Sequence, residues 1–409
     1  MTTALSKSAS SQAWLAKFRA DDAPMAARLA DSILIVGRDE FASALYDEID
    51  RLYQEQGPDA PPLALYAERP LNKIYGKIPA YFPNSRKGRA EGPGVPPVKV
   101  DARDQEVGSE ALVANMITAY ARNKPFAALS HPGPTKLRSD RVRVIVIVTD
   151  FIGSGDRIER NLESFAFVKT LQSWRSYGLI KFVVIAYSGT KTGISLVSHH
   201  RLRPNVRVVA GCPTIKSEFK GAERTAIEKL CATYPTKHKN WLGWGGTGAL
   251  IAFAHGVPNN TPALFHSTKG GWTPLFPKRS TVAFDATFVE TTALTNTMQR
   301  AEKLLATKAA QNFLLDDSNY QWIKSMMVLA ACRDGMRSDE EISTKTFVRR
   351  STVAELCETL RIAGWITVRR SITAVGRREL ERLQRKRKRT PAFPIGAQSF
   401  YYPTQLRIP

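Results

Sequence analysis

A short glycine loop near the middle of the chain combines the residue types that bind phosphate. The apolar run 144–148 leads to Asp150, and the loop that follows contains Gly153, Ser154 and Gly155. Glycines let consecutive backbone N–H groups turn toward one anion, because no Cβ blocks the approach. The hydroxyl of Ser154 adds a donor. These residues therefore predict an anion site at the end of a buried strand.

Charged residues flank this loop on both sides. A helix predicted to begin near Arg157 would point its positive N-terminal end at a bound anion. Asp150 stands at the predicted carboxyl edge of the strand, where α/β sheets bind ligands. A carboxylate there accepts hydrogen bonds from ribose hydroxyls or helps to hold Mg²⁺ on a pyrophosphate, so Asp150 is the candidate catalytic residue. An ordinary strand–loop–helix corner is the alternative.

A second set of candidate contacts follows a strand predicted to end at residue 254. Asn259 and Asn260 each carry a donor and an acceptor, which suits the edge of a base or a ribose. Trp272 offers a ring on which a base could stack. For the two asparagines, turn chemistry between the flanking prolines is an equally good explanation.

A long basic segment lies between the first predicted strand and the glycine loop. It would close over a pyrophosphate as a cationic lid, or contact a nucleic-acid backbone while its rings stack on bases. A solvated loop is the third possibility. The side chains in question are Lys73, Tyr75, Lys77, Tyr81, Phe82, Arg86, Lys87 and Arg89.

Basic residues also concentrate near the C-terminal end. Residues 319–389 contain 17 Lys and Arg against eight acids, and three predicted helices followed by a short ribbon give the order of a winged helix. The start of its third helix would enter a DNA groove, although winged helices also serve protein contacts. The expected nucleic-acid contacts are Lys345, Arg349, Arg350, Ser351, Thr352, Arg369, Arg370 and Arg387.

Strands that alternate with helices would position these residues. The β-branched run 142–148 is typical of a parallel strand covered on both faces. The whole pattern predicts an α/β domain with a mainly parallel sheet. Further strands are expected at 63–66, 182–186, 206–210 and 250–254, a largely helical stretch at 13–56, and helices at 109–122 and 158–177.

Five segments are predicted along the chain. They are an N-terminal extension (1–31), the α/β domain (32–290), a linker helix (291–318), the winged helix (319–390) and an extended tail (391–409).

The strand and glycine loop resemble the phosphoribosyl diphosphate (PRPP) motif of type I phosphoribosyltransferases. In that family two acids hold the ribose hydroxyls and the loop amides hold the 5-phosphate. The resemblance implies that Asp150 is the second acid and that Gly153, Ser154 and Gly155 bind the phosphate, and Arg157 is a further phosphate-binding candidate. Thr149 stands where the first acid is usual, and Asp156 and Arg157 stand where a small residue and a threonine are usual. The resemblance also makes Arg69 the candidate pyrophosphate contact.

The stretch 243–279 is similar to a divergent phosphoribosyltransferase-like group found in bacterial conflict and antiphage systems, including some retrons. This implies a type I phosphoribosyltransferase-like α/β fold, with helices on both faces of the sheet and a small C-terminal winged helix. It also implies PRPP or a nucleotide as ligand. Mg²⁺ would be carried by the ligand's pyrophosphate, without a metal site of the protein.

Two functions follow from the resemblance. One is an antiphage effector acting at ribose C1 and tethered to nucleic acid, with a reverse transcriptase and its DNA–RNA product as a candidate partner. The other is a catalytically inactive, DNA-binding regulator that senses PRPP or a nucleotide.

Composition supports polyanionic partners. The formal net charge is +22 and the isoelectric point is near 10.0, so nucleic acid or phosphorylated small molecules are expected. The four cysteines show no metal-binding spacing. No apolar run is long enough to span a membrane, and we expect a cytoplasmic protein.

Overall fold

The computed structural model describes residues 5–71, 75–82, 89–96, 108–235, 238–284, 288, 300–302, 304–305 and 317–384. Its centre is a five-stranded, entirely parallel sheet in the order β3-β2-β4-β5-β6. A separate pair of parallel strands, β1 and β7, lies beside it. The strands are β1 (Leu34–Val36), β2 (Leu63–Ala67), β3 (Ala128–Ser130), β4 (Val144–Ile152), β5 (Lys181–Gly189), β6 (Asn205–Gly211) and β7 (Ile251–Phe253).

Helices cover both faces of the main sheet, as predicted. Val146 and Val148 of β4 pack toward α3 and α4, whereas Ile145 and Ile147 pack toward α6 and α7. Alternate residues of β4 therefore enter two different cores, which explains why the strand is a continuous run of apolar residues. The helices are α1 (Ala9–Leu15), α2 (Ala23–Ala30), α3 (Arg38–Gln54), α4 (Ser109–Asn123), α5 (Pro134–Ser139), α6 (Asp156–Ala166), α7 (Lys169–Ser176), α8 (Lys191–Ser198), α9 (Ile215–Glu218) and α10 (Gly221–Thr233).

Three sequence-based element boundaries were wrong. The largely helical stretch expected over 13–56 is interrupted before Arg38, because Leu34–Val36 forms β1 and pairs with β7. The helix expected over 158–177 is two helices, α6 and α7. β4 continues past Asp150 to Ile152 because it pairs with β5 as far as Gly189.

The N-terminal helices pack into a third core. Trp14 and Phe18 are buried against Phe265 and Trp272, with ring centroids 5.5 Å and 5.0 Å apart respectively. Residues 9–30 therefore fold onto the same α/β domain that carries the sheet. None of the helices in the described ranges is long and apolar enough to cross a membrane.

The C-terminal part has the predicted winged-helix order. A capping box formed by Ser338 and Glu341 starts the second helix, and Phe347 ends it in the left-handed region at φ 60°. Ile366 and Ile372 pair across the ribbon. The helices are α11 (Asp317–Arg333), α12 (Asp339–Thr346), α13 (Arg350–Ile362) and α14 (Ala374–Gln384).

Several predictions fall on residues outside the described part of the chain. They include most of the linker helix 291–318, the tail 391–409, and the side chains of Lys73, Arg86, Lys87 and Arg387. The domain boundaries stay predictions.

Candidate functional site

The glycine loop connects β4 to α6 and leaves its backbone donors unused. Gly153 and Gly155 are buried, and Gly155 adopts φ 93°, a conformation that favours glycine. The N–H groups of Gly153, Ser154 and Gly155 donate no hydrogen bond to any other residue in the described part of the chain. Because buried N–H groups in native proteins are nearly always paired, the donors of the buried Gly153 and Gly155, with the half-buried Ser154 between them, indicate a place for an acceptor.

Close packing around Gly153 leaves no room for a Cβ atom. A Cβ at Gly153 would lie 2.0 Å from Oδ1 of Asn260, and Gly193 packs against the carbonyl of Gly153 on another side. That carbonyl accepts a hydrogen bond of 2.6 Å from Oγ1 of Thr190. The structure therefore brings the predicted site residues Gly153 and Asn260 together.

We expect Gly153→Ala to lower the free energy of unfolding by about 1–3 kcal/mol, the usual effect of overpacking a close-packed site. The added methyl group would displace Asn260 and the loop. Chemical denaturation measures the loss. Shortening the neighbour in Gly153→Ala/Asn260→Gly makes room and should recover part of it. Equal stability of Gly153→Ala and the wild type would contradict the packing described.

The segment 243–247 covers the loop from outside. Oδ2 of Asp156 accepts hydrogen bonds from Oγ of Ser154 (2.9 Å) and Nε1 of Trp244 (3.2 Å). Nδ2 of Asn260 donates to the carbonyl of Trp244 at 2.9 Å. The unusual acid at Asp156 is thus satisfied locally, and it engages the Ser154 hydroxyl that the sequence assigned to phosphate.

Asp150 lies within β4, two residues before its end, and pairs with a histidine. Nε2 of His255 is 3.2 Å from Oδ2 of Asp150. The His255 ring is held by Phe41 and Phe253, whose centroids lie 4.9 Å and 5.0 Å away. Burial alone would raise the pKa of Asp150, but the hydrogen bond and charge of His255, with Ser109 and Arg157, lower it below its ordinary value.

Glu68 brings a second carboxylate to this site, beside Thr149. Ala67 of β2 pairs with Val148 of β4, so the residues that follow them, Glu68 and Thr149, are neighbours. Oε2 of Glu68 accepts a hydrogen bond from the Thr149 hydroxyl. Burial raises the pKa of Glu68 to about 6, although Arg157 and Thr149 oppose the shift. Thr149 stands where the related motif has its first acid, and the carboxylate of Glu68 lies next to that position.

Arg157 joins these acids to the loop. Its Nε lies 2.6 Å from Oε1 of Glu68, close enough for an ion pair but not aligned for a hydrogen bond. Its Nη2 lies 3.6 Å from Oε2 of Glu110, and about half of its side chain (52%) stays exposed. An exposed guanidinium beside the three free N–H groups can reach a bound anion.

We expect Glu68→Gln to bind sulfate several-fold more tightly than the wild type at pH 7.5. There Glu68 is ionised and competes for Arg157, since its pKa is about 6. As the pH falls through 6, protonation removes this charge, so sulfate affinity of the wild type should rise. The variant should show a smaller rise, because other titrating groups are common to both proteins. Titration of sulfate at pH 5.5 and 7.5 measures both effects, and equal affinity at pH 7.5 would contradict the role of Glu68.

The other predicted ligand contacts have structural partners. Nε1 of Trp272 donates to the carbonyl of Leu264 at 2.8 Å, and its ring contacts Phe18 and Tyr234. Asn259 is exposed, and its carbonyl accepts from the backbone of Trp244. Base contacts by Trp272 and Asn259 stay predictions.

The residues that follow β2 differ more from the sequence-based predictions. The guanidinium of Arg69 is buried over the ring of Tyr81 at 5.5 Å. Tyr81 and Phe82 belong to the core, where Tyr81 stacks on Phe165 with centroids 3.9 Å apart. Base stacking by Tyr81 and Phe82 was therefore the wrong interpretation, whereas Tyr75 is fully exposed. The pyrophosphate contact of Arg69 stays a prediction.

The expected nucleic-acid contacts differ in their surroundings. Arg349 is paired with Glu40 and Asp47 of α3, and Arg370 is paired with Asp339 of α12. Arg369 is exposed. The remaining described members are half-buried near the start of α13: Lys345, Arg350, Ser351 and Thr352.

Comparison with known families agrees with this architecture. A family model described as PRTase-CE matches residues 11–278, and one described as wHTH-PRTase associated matches residues 326–408. No curated protein and no solved structure matches the chain. The first match spans more than half of the chain and contains the glycine loop, Glu68, Asp150 and His255. The chain therefore belongs to the PRTase-CE family, with a phosphoribosyltransferase-like domain followed by a DNA-binding winged helix.

Proposed function

We propose that the glycine loop binds the 5-phosphate of PRPP or of a nucleotide while Asp150 accepts hydrogen bonds from the ribose hydroxyls. The observation that carries this proposal is the run of three backbone N–H groups, two of them in buried glycines, without a partner among the described residues. Two further features support it. The N-terminus of α6 adds positive potential, and Arg157 in the first turn of α6 keeps about half of its side chain exposed.

The proposed chemistry takes place at ribose C1. The bond from C1 to pyrophosphate or to a base breaks, and its electron pair leaves with that group. An acceptor or a water molecule forms the new bond to C1 and gives up a proton to the leaving group or to solvent. The intermediate stage resembles an oxocarbenium ion. Fixing the phosphate and the ribose orients C1, and the ionised carboxylate of Asp150 favours the developing positive charge. In the structure described, Oδ2 of that carboxylate is paired with His255.

Magnesium fits this site as part of the ligand. Within the described ranges, no three His, Cys, Asp or Glu side chains are grouped as ligands for a metal ion. Glu68 is engaged with Thr149 and Arg157, which leaves Asp150 as the carboxylate able to approach a cation carried on pyrophosphate. Mg²⁺ bound there would neutralise the leaving pyrophosphate.

A purified preparation incubated with PRPP, Mg²⁺ and a panel of nucleotides tests the chemistry. Release of pyrophosphate or of a free base supports an enzyme that acts at C1. Binding without any turnover would instead favour a sensor of PRPP or a nucleotide. One observation favours that second function: Asp156 engages the Ser154 hydroxyl and adds a negative charge beside the loop. Absence of binding would contradict both.

We further propose a role as an effector of an antiphage defence system. The family resemblance supports this setting, and the winged helix would tether the effector to nucleic acid, with a reverse transcriptase and its DNA–RNA product as candidate partners. Cells that carry the gene and its neighbours can be challenged with phage. Protection by the wild type but not by Asp150→Asn would support the role, and equal protection would contradict it.

A further inference from the structure

The winged helix contacts the α/β domain through the residue that begins its third helix. Arg349, the N-cap of α13, donates to both carboxylate oxygens of Glu40 at 3.0 Å and to Oδ2 of Asp47 at 2.8 Å. Both acids belong to α3. Glu40 is mostly buried, with 14% of its side chain exposed. A bidentate arginine–carboxylate pair of this kind is among the stronger polar contacts in proteins.

Further contacts hold the turn between α12 and α13 against the end of β6. The N–H of Gly211 donates to Oγ of Ser343 at 3.1 Å, and a Cβ at Gly211 would lie 2.0 Å from Oγ1 of Thr344. Arg300 pairs with both oxygens of Glu218 at 2.7 Å and lies over the ring of Phe347. This interface, formed by α12, α13, α3 and β6, is called the docking interface below.

The docking interface occupies the surface that a helix-turn-helix uses for DNA. In that motif the first residues of the third helix meet phosphates and base edges. Here Arg349 meets carboxylates instead, while Glu355 and Glu358 are on the exposed side of α13. A phosphate and the two acids of α3 would use the same guanidinium donors. Docking and duplex binding through α13 therefore compete.

The same turn of α3 reaches the candidate site. Phe41 follows Glu40, and its ring contacts His255, which pairs with Asp150. One helical turn thus connects Arg349 of the winged helix to the carboxylate that is proposed to hold ribose. In the docked state His255 occupies Oδ2 of Asp150, an oxygen that a ribose hydroxyl would need.

We propose that the Arg349 contact is autoinhibitory. Duplex nucleic acid would displace Glu40 and Asp47 from Arg349 and undock the winged helix. The α3 turn would then relax its hold on His255, and Asp150 would become available to ligand. The link to ligand rests on the proposed function, whereas the competition for Arg349 does not.

Duplex binding by the full-length protein tests the competition. Glu40→Gln/Asp47→Asn weakens docking and should bind a DNA duplex about tenfold more tightly than a control with the same net charge. The control is Glu223→Gln/Glu228→Gln on α10, whose acids pair with Arg28 and Arg224. Equal affinity of the two double variants would overturn the proposal.

An uncharged variant gives an independent test of the same point. Gly211→Ala places a methyl group against Thr344 and should undock the winged helix without changing any charge. It too should bind duplex more tightly, and Gly211→Ala/Arg349→Ala should bind it more weakly than Gly211→Ala, because the undocked Arg349 would contact phosphate. Circular dichroism verifies that each variant is folded. If these substitutions left duplex affinity unchanged but Arg377→Glu/Arg378→Glu abolished it, nucleic acid would bind on α14 and the proposal would be overturned.

Ligand binding tests the link to the site. Ribose 5-phosphate is titrated into wild type with and without saturating duplex. We expect a several-fold higher affinity with duplex, and the same gain in Glu40→Gln/Asp47→Asn without duplex, since coupling is reciprocal. An affinity that duplex leaves unchanged would overturn the link. No ribose 5-phosphate binding in either state would contradict the proposed function, while the duplex titrations would still decide the competition.

Discussion

Asp150→Asn is expected to lower the affinity for ribose 5-phosphate about 100-fold. Each hydrogen bond from a ribose hydroxyl to an ionised carboxylate contributes roughly 1.5–3 kcal/mol, and the amide keeps the shape but not the charge. The hydrogen bond and charge of His255 lower the pKa of Asp150 despite burial, so the wild-type group is ionised at neutral pH. Isothermal titration at pH 7.5 with Mg²⁺ present measures the difference.

Asp156→Asn is the matched control for that substitution. It makes the same chemical change beside the same loop, but Asp156 contacts Ser154 and Trp244 rather than the proposed ribose position. Removing its charge should leave the affinity unchanged or increase it. A loss of less than twofold in Asp150→Asn would remove that residue from the site.

Arg300→Ala is expected to destabilise the protein by about 3–5 kcal/mol, the usual effect of leaving one member of a buried ion pair alone. Only 4% of the Arg300 side chain and 9% of the Glu218 side chain are exposed. The substitution also removes the donor to the carbonyl of Lys345 and the contact with Phe347. Chemical denaturation of the full-length chain measures the loss.

Two comparisons distinguish a buried charge from simple loss of volume. Arg300→Met/Glu218→Leu removes both charges and should recover most of the stability, because no unpaired carboxylate remains. Arg382→Ala removes an exposed arginine that pairs with Glu379 and should have little effect. If Arg300→Ala were as stable as Arg382→Ala, the buried pair would not contribute to stability as expected.

The strand and loop of the site were predictable because they are local in sequence. The run that forms β4 is long enough to identify a strand buried on both faces, and the glycines follow it directly. The parallel sheet follows from the alternation of strands and helices, and the winged helix from the order of its elements. The short strand β1 was missed because Leu34–Val36 continues into a helical pattern and gains its strand character by pairing with β7.

The rest of the site depends on contacts between distant segments. Glu68 reaches Thr149 only because β2 and β4 pair in one register, across 81 positions of sequence. The ring of His255 is held between Phe41 of helix α3 and Phe253 of strand β7. Arg349 looked like a free nucleic-acid contact because its partners on α3 are about 300 residues away. Patterns of neighbouring residues in one sequence do not indicate contacts between such distant segments.

The most direct measurement is a crystal structure of the full-length protein with ribose 5-phosphate. We expect phosphate oxygens within hydrogen-bond distance of the N–H groups of Gly153, Ser154 and Gly155, with ribose hydroxyls on Asp150. A phosphate bound elsewhere, or a loop that stays without ligand at saturating ribose 5-phosphate, would contradict this expectation.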